Sequence, residues 1–423
     1  MERGDPGPCT EPVMSMKFVY LDHAATTALR PEVREAMSPY LDERFGNPSS
    51  MHRWGRQARN ALEQAREQLA GAIGAHRREI VFTGGGTEAD NLAILGRWRS
   101  ACRSSLAGRS GVAGGTASAG SLGRTGSPDR FGGAVVCSAI EHKAVGAAAQ
   151  CAAEEGADLI TLAVDSDGRV EVDAVLEALK ARPCVVSVMW ANNEVGTIQP
   201  IAEIGARCRE ADVVFHTDAV QSFAKLRVRV DETPCDLLSL SAHKIAGPKG
   251  IGALFIREGT VVLPLVYGGG QERELRPGTE NVASAVGFAL AAELAAAEQE
   301  EESARLGALR SRLQQGLRRI LPELIVNGPA DGVLPNILNV TVPGADQEGL
   351  LIGLDLEGIA ASGASACQSG TIQPSHVLAA MGRARVGDAS VRLSLGRTTT
   401  PEEIEFAVAA FGRVVEQLRV EAL

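Results

Sequence analysis

Short apolar segments alternate with amphipathic segments along this chain up to about residue 280. The apolar segments end in turn-forming residues and are typical of strands buried on both faces of a sheet. They lie at residues 18–21, 79–83, 134–138, 159–162, 184–190, 213–217, 236–241 and 253–256. Segments with helical spacing lie at residues 30–41, 55–73, 143–155, 172–181 and 201–210. Strands that alternate with helices form right-handed βαβ units, so the pattern predicts an α/β fold with a mostly parallel, mixed sheet.

Beyond residue 281 the pattern changes to long helices with few strands, which predicts a second, smaller α+β domain. Residues 103–133 are nearly all Gly, Ser, Ala, Arg and Thr, a composition that predicts a flexible surface insertion. We therefore expect a disordered leader (1–16), an N-terminal segment that joins the small domain (17–30), a large domain (31–280, with the insertion) and a small C-terminal domain (281–423).

Composition and charge narrow the classes of function. The chain has 423 residues, of which 45% are hydrophobic, so it can bury a large core. A net charge of -10 argues against a general binder of nucleic acid or anionic membranes. No apolar segment has the length of a membrane span, and the most apolar candidate, 282–297, runs into the acidic residues 298–302. The eight cysteines show no paired spacing and the N-terminus no secretory pattern, so we expect a cytoplasmic protein with reduced thiols.

The first candidate for chemistry is Lys244, which follows the apolar segment 236–241 directly. Ligands of α/β proteins bind at the carboxyl ends of the strands, where Lys244 would lie. A lysine that loses its hydration there has a lowered pKa and can form a Schiff base with a carbonyl. Taken alone, an ordinary surface lysine is the better interpretation.

Other loops after predicted strands carry groups that suit one cofactor. Gly84 to Gly86 and Thr87 precede a helix and suit a phosphate, although an ordinary glycine turn explains them equally well. Asp218 ends a strand 26 residues before Lys244. Pyridoxal phosphate requires a lysine, a carboxylate at its pyridine nitrogen, a phosphate cradle and a flat group against the ring, and each has a candidate here.

Two further loops that follow predicted strands have purely structural interpretations as well. His142 follows a strand, where a single histidine is usually structural, and Asn192-Asn193 is either a ligand-binding amide or a turn. The residues His142, His216, Asp218 and His243 suggest a metal site as an alternative, but they lack the paired spacing of zinc motifs. We therefore expect no metal.

Seven motifs in the same order resemble those of cysteine desulfurases of the nitrogen-fixation and iron-sulfur assembly type, class-V aminotransferase-like pyridoxal phosphate enzymes. The resemblance extends from about residue 18 to the end of the chain. The motifs are Leu21-Asp22-His23-Ala24-Ala25-Thr26-Thr27, Phe45-Gly46-Asn47-Pro48-Ser49-Ser50, Thr83-Gly84-Gly85-Gly86-Thr87-Glu88, Glu141-His142, Asn192-Asn193-Glu194-Val195-Gly196, Ser241-Ala242-His243-Lys244 and Gly268-Gly269-Gly270-Gln271-Glu272-Arg273.

The resemblance implies a fold-type I pyridoxal phosphate enzyme that forms homodimers. It implies Lys244 as the lysine that carries the cofactor and His142 as a catalytic residue stacked on the ring. The other residues it implies around the cofactor are Asp218 at the pyridine nitrogen, Asn193 and Gln221 near the ring hydroxyl, Gly86, Thr87, Ser241 and His243 at the phosphate, and Thr279 reaching the phosphate of the partner subunit.

The loop around Cys367 is rich in small residues, so it favours an exposed and reactive thiol. A cysteine that merely fits a tight turn is the alternative, but the loop resembles the family's catalytic cysteine loop. Ala364 departs from the family, where glycine is commoner, and so does the insertion 103–133. The resemblance also implies Arg392 as the clamp for the substrate carboxylate, together with Asn193 at the substrate.

The implied reaction converts L-cysteine to L-alanine and leaves a persulfide on Cys367. The persulfide sulfur would pass to an iron-sulfur scaffold or another sulfur-acceptor protein, for iron-sulfur cluster assembly or thio-cofactor synthesis. A selenocysteine lyase has the same fold and is the close alternative. A non-catalytic scaffold and a metal hydrolase are the distant ones.

Overall fold

The chain folds around two β-sheets of different size, one of seven strands and one of four. The computed structural model describes residues 18–109, 133–363 and 375–421. The predicted leader 1–16 and most of the predicted insertion 103–133 lie outside the described residues.

The strands follow the chain as short segments, most of them buried throughout. They are β1 (Val19–Tyr20), β2 (Ile80–Thr83), β3 (Ala134–Ser138), β4 (Asp158–Leu162), β5 (Val185–Ser187), β6 (Val214–Asp218), β7 (Leu237–Ser241), β8 (Gly252–Ile256), β9 (Ile325–Asn327), β10 (Ile337–Val342), β11 (Ile359–Ala360), β12 (Ser362–Gly363) and β13 (Ala389–Ser394).

The α-helices cover the faces of both sheets and connect them. They are α1 (Pro31–Met37), α2 (Arg53–Ile73), α3 (Gly86–Asn91), α4 (Arg97–Arg109), α5 (Lys143–Glu154), α6 (Val172–Leu179), α7 (Ile201–Glu210), α8 (Val282–Ile320), α9 (Gln347–Leu356), α10 (His376–Ala380) and α11 (Pro401–Glu421). No helix among the described residues combines the length and the apolar character that crossing a membrane would require.

The large sheet has the strand order β2-β8-β7-β6-β5-β3-β4. All pairs are parallel except those of β8, which runs antiparallel to both of its neighbours. Its strands are continuous apolar runs because both faces are covered: Val186, Phe215 and Leu238 belong to one core together with residues of α2, α7 and α8. The α/β fold with a mostly parallel, mixed sheet is therefore confirmed.

The small sheet is antiparallel and has the order β12-β13-β10-β9. Leu338, Val391 and Phe411 form its apolar core with the last turns of α8 and with α11. The N-terminal strand β1 pairs in parallel with β11, and Val19 lies in the same core. The start of the described chain is therefore packed onto its C-terminal part, close to β13.

Helix α8 links the two cores. Phe288 is buried in the core of the large sheet and Leu313 in that of the small sheet. The apolar segment 282–297 forms the first part of this helix, which continues through the acidic run to Ile320. Glutamate is a good helix former, and the run contributes to packing because Glu298 accepts two hydrogen bonds of 2.8 Å from the guanidinium of Arg30.

The start of the predicted insertion is helical. Helix α3 passes through a π-helical turn at Leu92–Gly96 into α4, and α4 continues beyond Arg103 to Arg109. The expectation that irregular structure begins at residue 103 is therefore wrong. The composition misled because alanine, arginine and leucine in this stretch are good helix formers that extend a helix already begun in the core.

Candidate active site

Loops from five strands meet at one edge of the large sheet. β2, β3, β5, β6 and β7 run in the same direction, so their carboxyl ends lie side by side. This edge collects most of the side chains singled out from the sequence. They are Gly86, Thr87, His142, Asn193, Asp218, Gln221, Ser241, His243 and Lys244.

Lys244 ends a short 3-10 turn that follows β7 directly. Its Nζ donates hydrogen bonds to the carbonyl oxygens of Ala24 at 2.5 Å and Ala25 at 2.8 Å. The pKa of its amine is lowered to about 8, first by burial and then by the positive charge of Arg392, against the opposing effect of Asp218. Lys244 is thus a desolvated amine that is available for a carbonyl ligand near neutral pH.

Asp218 is the last residue of β6 and is buried at the same edge. Its Oδ1 accepts a hydrogen bond of 2.8 Å from the backbone N–H of Val220, which fixes the carboxyl group. Burial raises its pKa, while His142 and Lys244 counteract that effect. A cationic ring nitrogen placed against this carboxylate would be strongly stabilised because few other charges are accessible there.

His142 is the N-cap of α5. Its Nδ1 accepts a hydrogen bond of 3.2 Å from the backbone N–H of Ala144, so the neutral ring carries its proton on Nε2. Desolvation lowers the pKa of the imidazole, and Asp218 opposes this shift. The capping bond orients the ring, which leaves Nε2 as the nitrogen that can exchange a proton.

The phosphate end of the predicted site is a cavity of about 670 Å³ whose lining includes Thr87, Ser241 and His243. Gly85 adopts φ 156°, a conformation that favours glycine, directly before the helix that begins at Gly86. The first turn of a helix leaves backbone N–H groups without intrahelical partners. This cavity can therefore surround an anion with N–H groups and hydroxyls.

These features fit pyridoxal phosphate. A Cβ atom on Gly86 would lie 2.9 Å from Cγ2 of Val220, so only glycine leaves the cradle open. Burial lowers the pKa of His243 to about 4, which leaves it a neutral hydrogen-bonding group at the phosphate end. The cradle after β2, the amine of Lys244 after β7 and the carboxylate of Asp218 on β6 lie along one sheet edge, so they could hold the phosphate, the carbonyl carbon and the ring nitrogen of this cofactor.

Gln221 and Asn192 have clear hydrogen-bond partners. The amide nitrogen of Gln221 donates a hydrogen bond of 2.9 Å to the carbonyl of Ala24, which Lys244 also contacts, so its amide oxygen is available to a ligand. Asn192 is fully buried and stabilises its own turn by accepting from the N–H groups of Glu194 and Val195. The turn interpretation therefore applies to Asn192, which leaves Asn193 as the amide for a ligand.

Arg392 on β13 enters the same region from the small sheet. Its guanidinium donates to the carbonyl of Asn193 at 3.0 Å and to Oδ1 of Asp22 at 2.7 Å, and its Nε has no hydrogen-bond partner although it is buried. A buried donor without a partner is costly unless a ligand completes it. Sequence reasoning missed Asp22 as the partner of Arg392, although Asp22 lies in a quoted motif.

Two further buried carboxyl groups next to the site, Asp90 and Glu141, were also missed, and His216, which the sequence suggested only for the alternative metal site, is buried with them. Asp90 and Glu141 are almost completely buried, and burial raises the pKa of Glu141 to about 8 and that of Asp90 well above its usual range. His216 bridges Ser187 and Ser239 and has its pKa lowered to about 3 by burial. These groups are neutral near pH 7, so Asp218 is the carboxyl group in this cluster that a cationic ligand can stabilise in its charged form.

Two predicted residues remain. Thr279 is exposed, and Cys367 lies outside the described residues. Within the described ranges, no group of three or more histidine, cysteine, aspartate and glutamate side chains is arranged to hold a metal ion.

Comparisons with known proteins agree on one family. The model of the family aminotransferase class-V matches residues 19–105 and 114–406. The cysteine desulfurase IscS of Dictyoglomus turgidum is 42% identical over 402 residues, which cover 95% of this chain and 95% of that protein.

Solved structures give the same result. A NifS-like protein superimposes with a TM-score of 0.83 at 32% identity, covering 95% of this chain and 100% of its own. The structure of SspA in complex with cysteine superimposes with a TM-score of 0.72 at 34% identity, covering 89% of this chain and 98% of its own.

Proposed function

The chain belongs to the class-V aminotransferase family, and from this premise we propose that it is a cysteine desulfurase that converts L-cysteine to L-alanine. It has the α/β fold of fold-type I pyridoxal phosphate enzymes and depends on that cofactor. The observation that carries the proposal is the position of Lys244, whose amine is desolvated and lies within the fields of both Asp218 and Arg392. One amine thus lies between a carboxylate for the cofactor and a cation for an amino-acid substrate.

Different residues of the chain have different roles in the proposed reaction. The bound cofactor supplies an electron sink for the pair of electrons left at Cα of an amino acid. Arg392 binds the substrate carboxylate through its guanidinium, and its buried Nε gains the partner that it lacks. The Nζ of Lys244, neutral in much of the population near pH 8, accepts the proton from Cα. His142 carries a proton on Nε2.

Cys367 completes the reaction. Its thiolate attacks the substrate sulfur, so that the substrate C–S bond breaks, an S–S bond forms on Cys367, and Cβ gains a proton to give alanine. The thiols of the six described cysteines all have raised pKa values, chiefly because of burial, which makes them poor nucleophiles. This contrast supports the assignment of the reactive thiol to the small-residue loop.

Replacement of Cys367 tests the proposal. We expect Cys367→Ala to abolish sulfide release from L-cysteine while the visible absorption of the bound cofactor remains, and we expect the control Cys151→Ala to retain activity. Sulfide release by Cys367→Ala at the rate of the control would contradict the assignment. Borohydride reduction followed by peptide mapping should place the cofactor on Lys244, and rates on L-selenocysteine distinguish the close alternative of a selenocysteine lyase.

The proposal also includes the compartment, the oligomeric state and the sulfur acceptor. We place the enzyme in the cytoplasm as a homodimer, in which the exposed Thr279 contacts the phosphate of the partner's cofactor. The Cys367 persulfide passes to an iron-sulfur scaffold or another sulfur-acceptor protein. The buried free thiols of Cys137, Cys184, Cys208 and Cys235 support a reducing compartment.

A further inference from the structure

A second lysine lies beside Lys244 and has no part in the reaction described above. Lys225 is partly buried in the segment between β6 and β7, and its Nζ donates a hydrogen bond of 2.9 Å to the backbone carbonyl of Lys244. The backbone carbonyl of Lys225 in turn accepts from Nε2 of Gln299 at 3.1 Å and from Oγ of Ser303 at 2.5 Å. Lys225 therefore connects helix α8 to the turn that carries Lys244.

The backbone beside both lysines adopts an unusual conformation. Ala224, directly before Lys225, has φ 71°, and Ala246, two residues after Lys244, has φ 61°. Residues with a Cβ atom rarely adopt this left-handed region, and they persist there only where the surrounding structure holds them. The surrounding structure therefore holds both the segment of Lys225 and the segment of Lys244 in a fixed backbone conformation.

The charges around the two amines come from several elements. The amine of Lys244 interacts electrostatically with two cations, Arg392 on β13 and Lys225, and with two carboxylates, Asp218 on β6 and Asp22. Lys225 faces Glu302 on α8, and burial lowers its pKa to about 8. Lys225 also lowers the pKa of His23 in the N-terminal turn. A positive charge on Lys225 disfavours a second one on the amine of Lys244.

We propose that Lys225 is a positioning residue for Lys244, which fixes the backbone of Lys244 through its carbonyl and sets a positive charge near its amine. This inference rests on the proposed function, because it concerns the nitrogen that binds the cofactor and accepts the substrate proton. The loss of that charge should make the nitrogen of Lys244 harder to deprotonate.

The test is a pH titration of the visible absorption of the cofactor-loaded protein, whose midpoint reports protonation at the nitrogen of Lys244. In Lys225→Gln, which retains a donor but no charge, we expect the midpoint to rise by about half a unit or more, so that the deprotonated fraction below the midpoint falls about threefold. Lys225→Arg, which retains both charge and donor, should keep the wild-type midpoint. Lys180→Gln removes an exposed lysine of α6's C-cap and serves as the control.

The outcomes separate this inference from the proposed function. A protein that acquires no visible absorption with pyridoxal phosphate contradicts the proposed function itself. A normal spectrum with the same midpoint in wild type and Lys225→Gln overturns the role of Lys225 alone. A raised midpoint in Lys225→Arg equal to that of Lys225→Gln would also overturn it, because the effect would then follow the loss of lysine shape and not the charge. Thermal melting of each variant shows whether it is folded.

Discussion

Glu141 offers a prediction in which the protonation state of one buried group sets the stability of the whole chain. Its Oε1 accepts hydrogen bonds from the hydroxyl of Ser138 at 2.6 Å and the N–H of Met189 at 2.7 Å, while its Oε2 is buried without a partner. Burial raises its pKa from 4.5 to about 8, and the nearby charge of Asp218 contributes in the same direction. Glutamine in its place keeps the Oε1 acceptor and cannot ionise.

The direction in which the free energy of unfolding changes with pH follows from the number of protons bound in the folded and unfolded states. The folded state retains the proton of Glu141 up to about pH 8, whereas the unfolded chain releases it above about pH 4.5. The free energy of unfolding therefore falls by about 1.4 kcal/mol per pH unit between these values, or about 3 kcal/mol by pH 7. Glu141→Gln removes this loss but buries an amide nitrogen without a partner, which costs about 1 kcal/mol. We expect a net gain of about 2 kcal/mol at pH 7 and almost none at pH 5.

The assay is urea unfolding of the cofactor-loaded protein at pH 5, 7 and 8, with the free energy of unfolding extrapolated to water. Glu203→Gln on α7 is the matched control, because this carboxylate is exposed and should give the same small effect at each pH. A loss of stability in Glu141→Gln at pH 7, or an effect of equal size at pH 5 and pH 8, would refute the reasoning. Sulfide release should be retained, since Asp218 keeps its charge.

Two further substitutions test the ion pairs that hold the site together. In Asp22→Asn, Arg392 loses its charged partner and is less well oriented to bind the substrate carboxylate. We therefore expect KM for L-cysteine to rise about tenfold with a smaller change in kcat. An unchanged KM in steady-state kinetics would contradict this. In Glu272→Gln, the buried guanidinium of Arg66 loses one of two hydrogen bonds of 2.7 Å, and urea unfolding should show a loss of about 3 kcal/mol. The same change at the partly exposed Glu357 should cost less than about 1 kcal/mol, and equal losses at both positions would count against the account.

The sequence predicted the large sheet and the residues on its edge because both depend on local signals. An apolar run such as 237–241 that is bounded by turn residues indicates a buried strand, which places the lysine that follows it near the strand's end. The cysteine-desulfurase resemblance added roles for residues such as Gln221, which no periodicity could have supplied.

What could not be predicted depends on contacts between distant parts of the chain. Asp22 and Arg392 are 370 residues apart, and nothing local in either segment indicates their ion pair. Lys225 belongs to no recognisable motif, and it joins two distant parts of the chain, since its carbonyl accepts from Ser303 on α8 and its amine donates to the carbonyl of Lys244. The second half of α8 likewise depends on a distant part of the chain, since it is stabilised by the core of the small sheet.

A single turnover with L-cysteine in the absence of any reductant tests the central claim most directly. We predict one molecule of L-alanine per chain and a mass increase of one sulfur atom on the peptide that contains Cys367, with no such increase on the peptides of the other cysteines. Alanine formation that leaves the Cys367 peptide unchanged, or the absence of alanine from the cofactor-loaded protein, would contradict it.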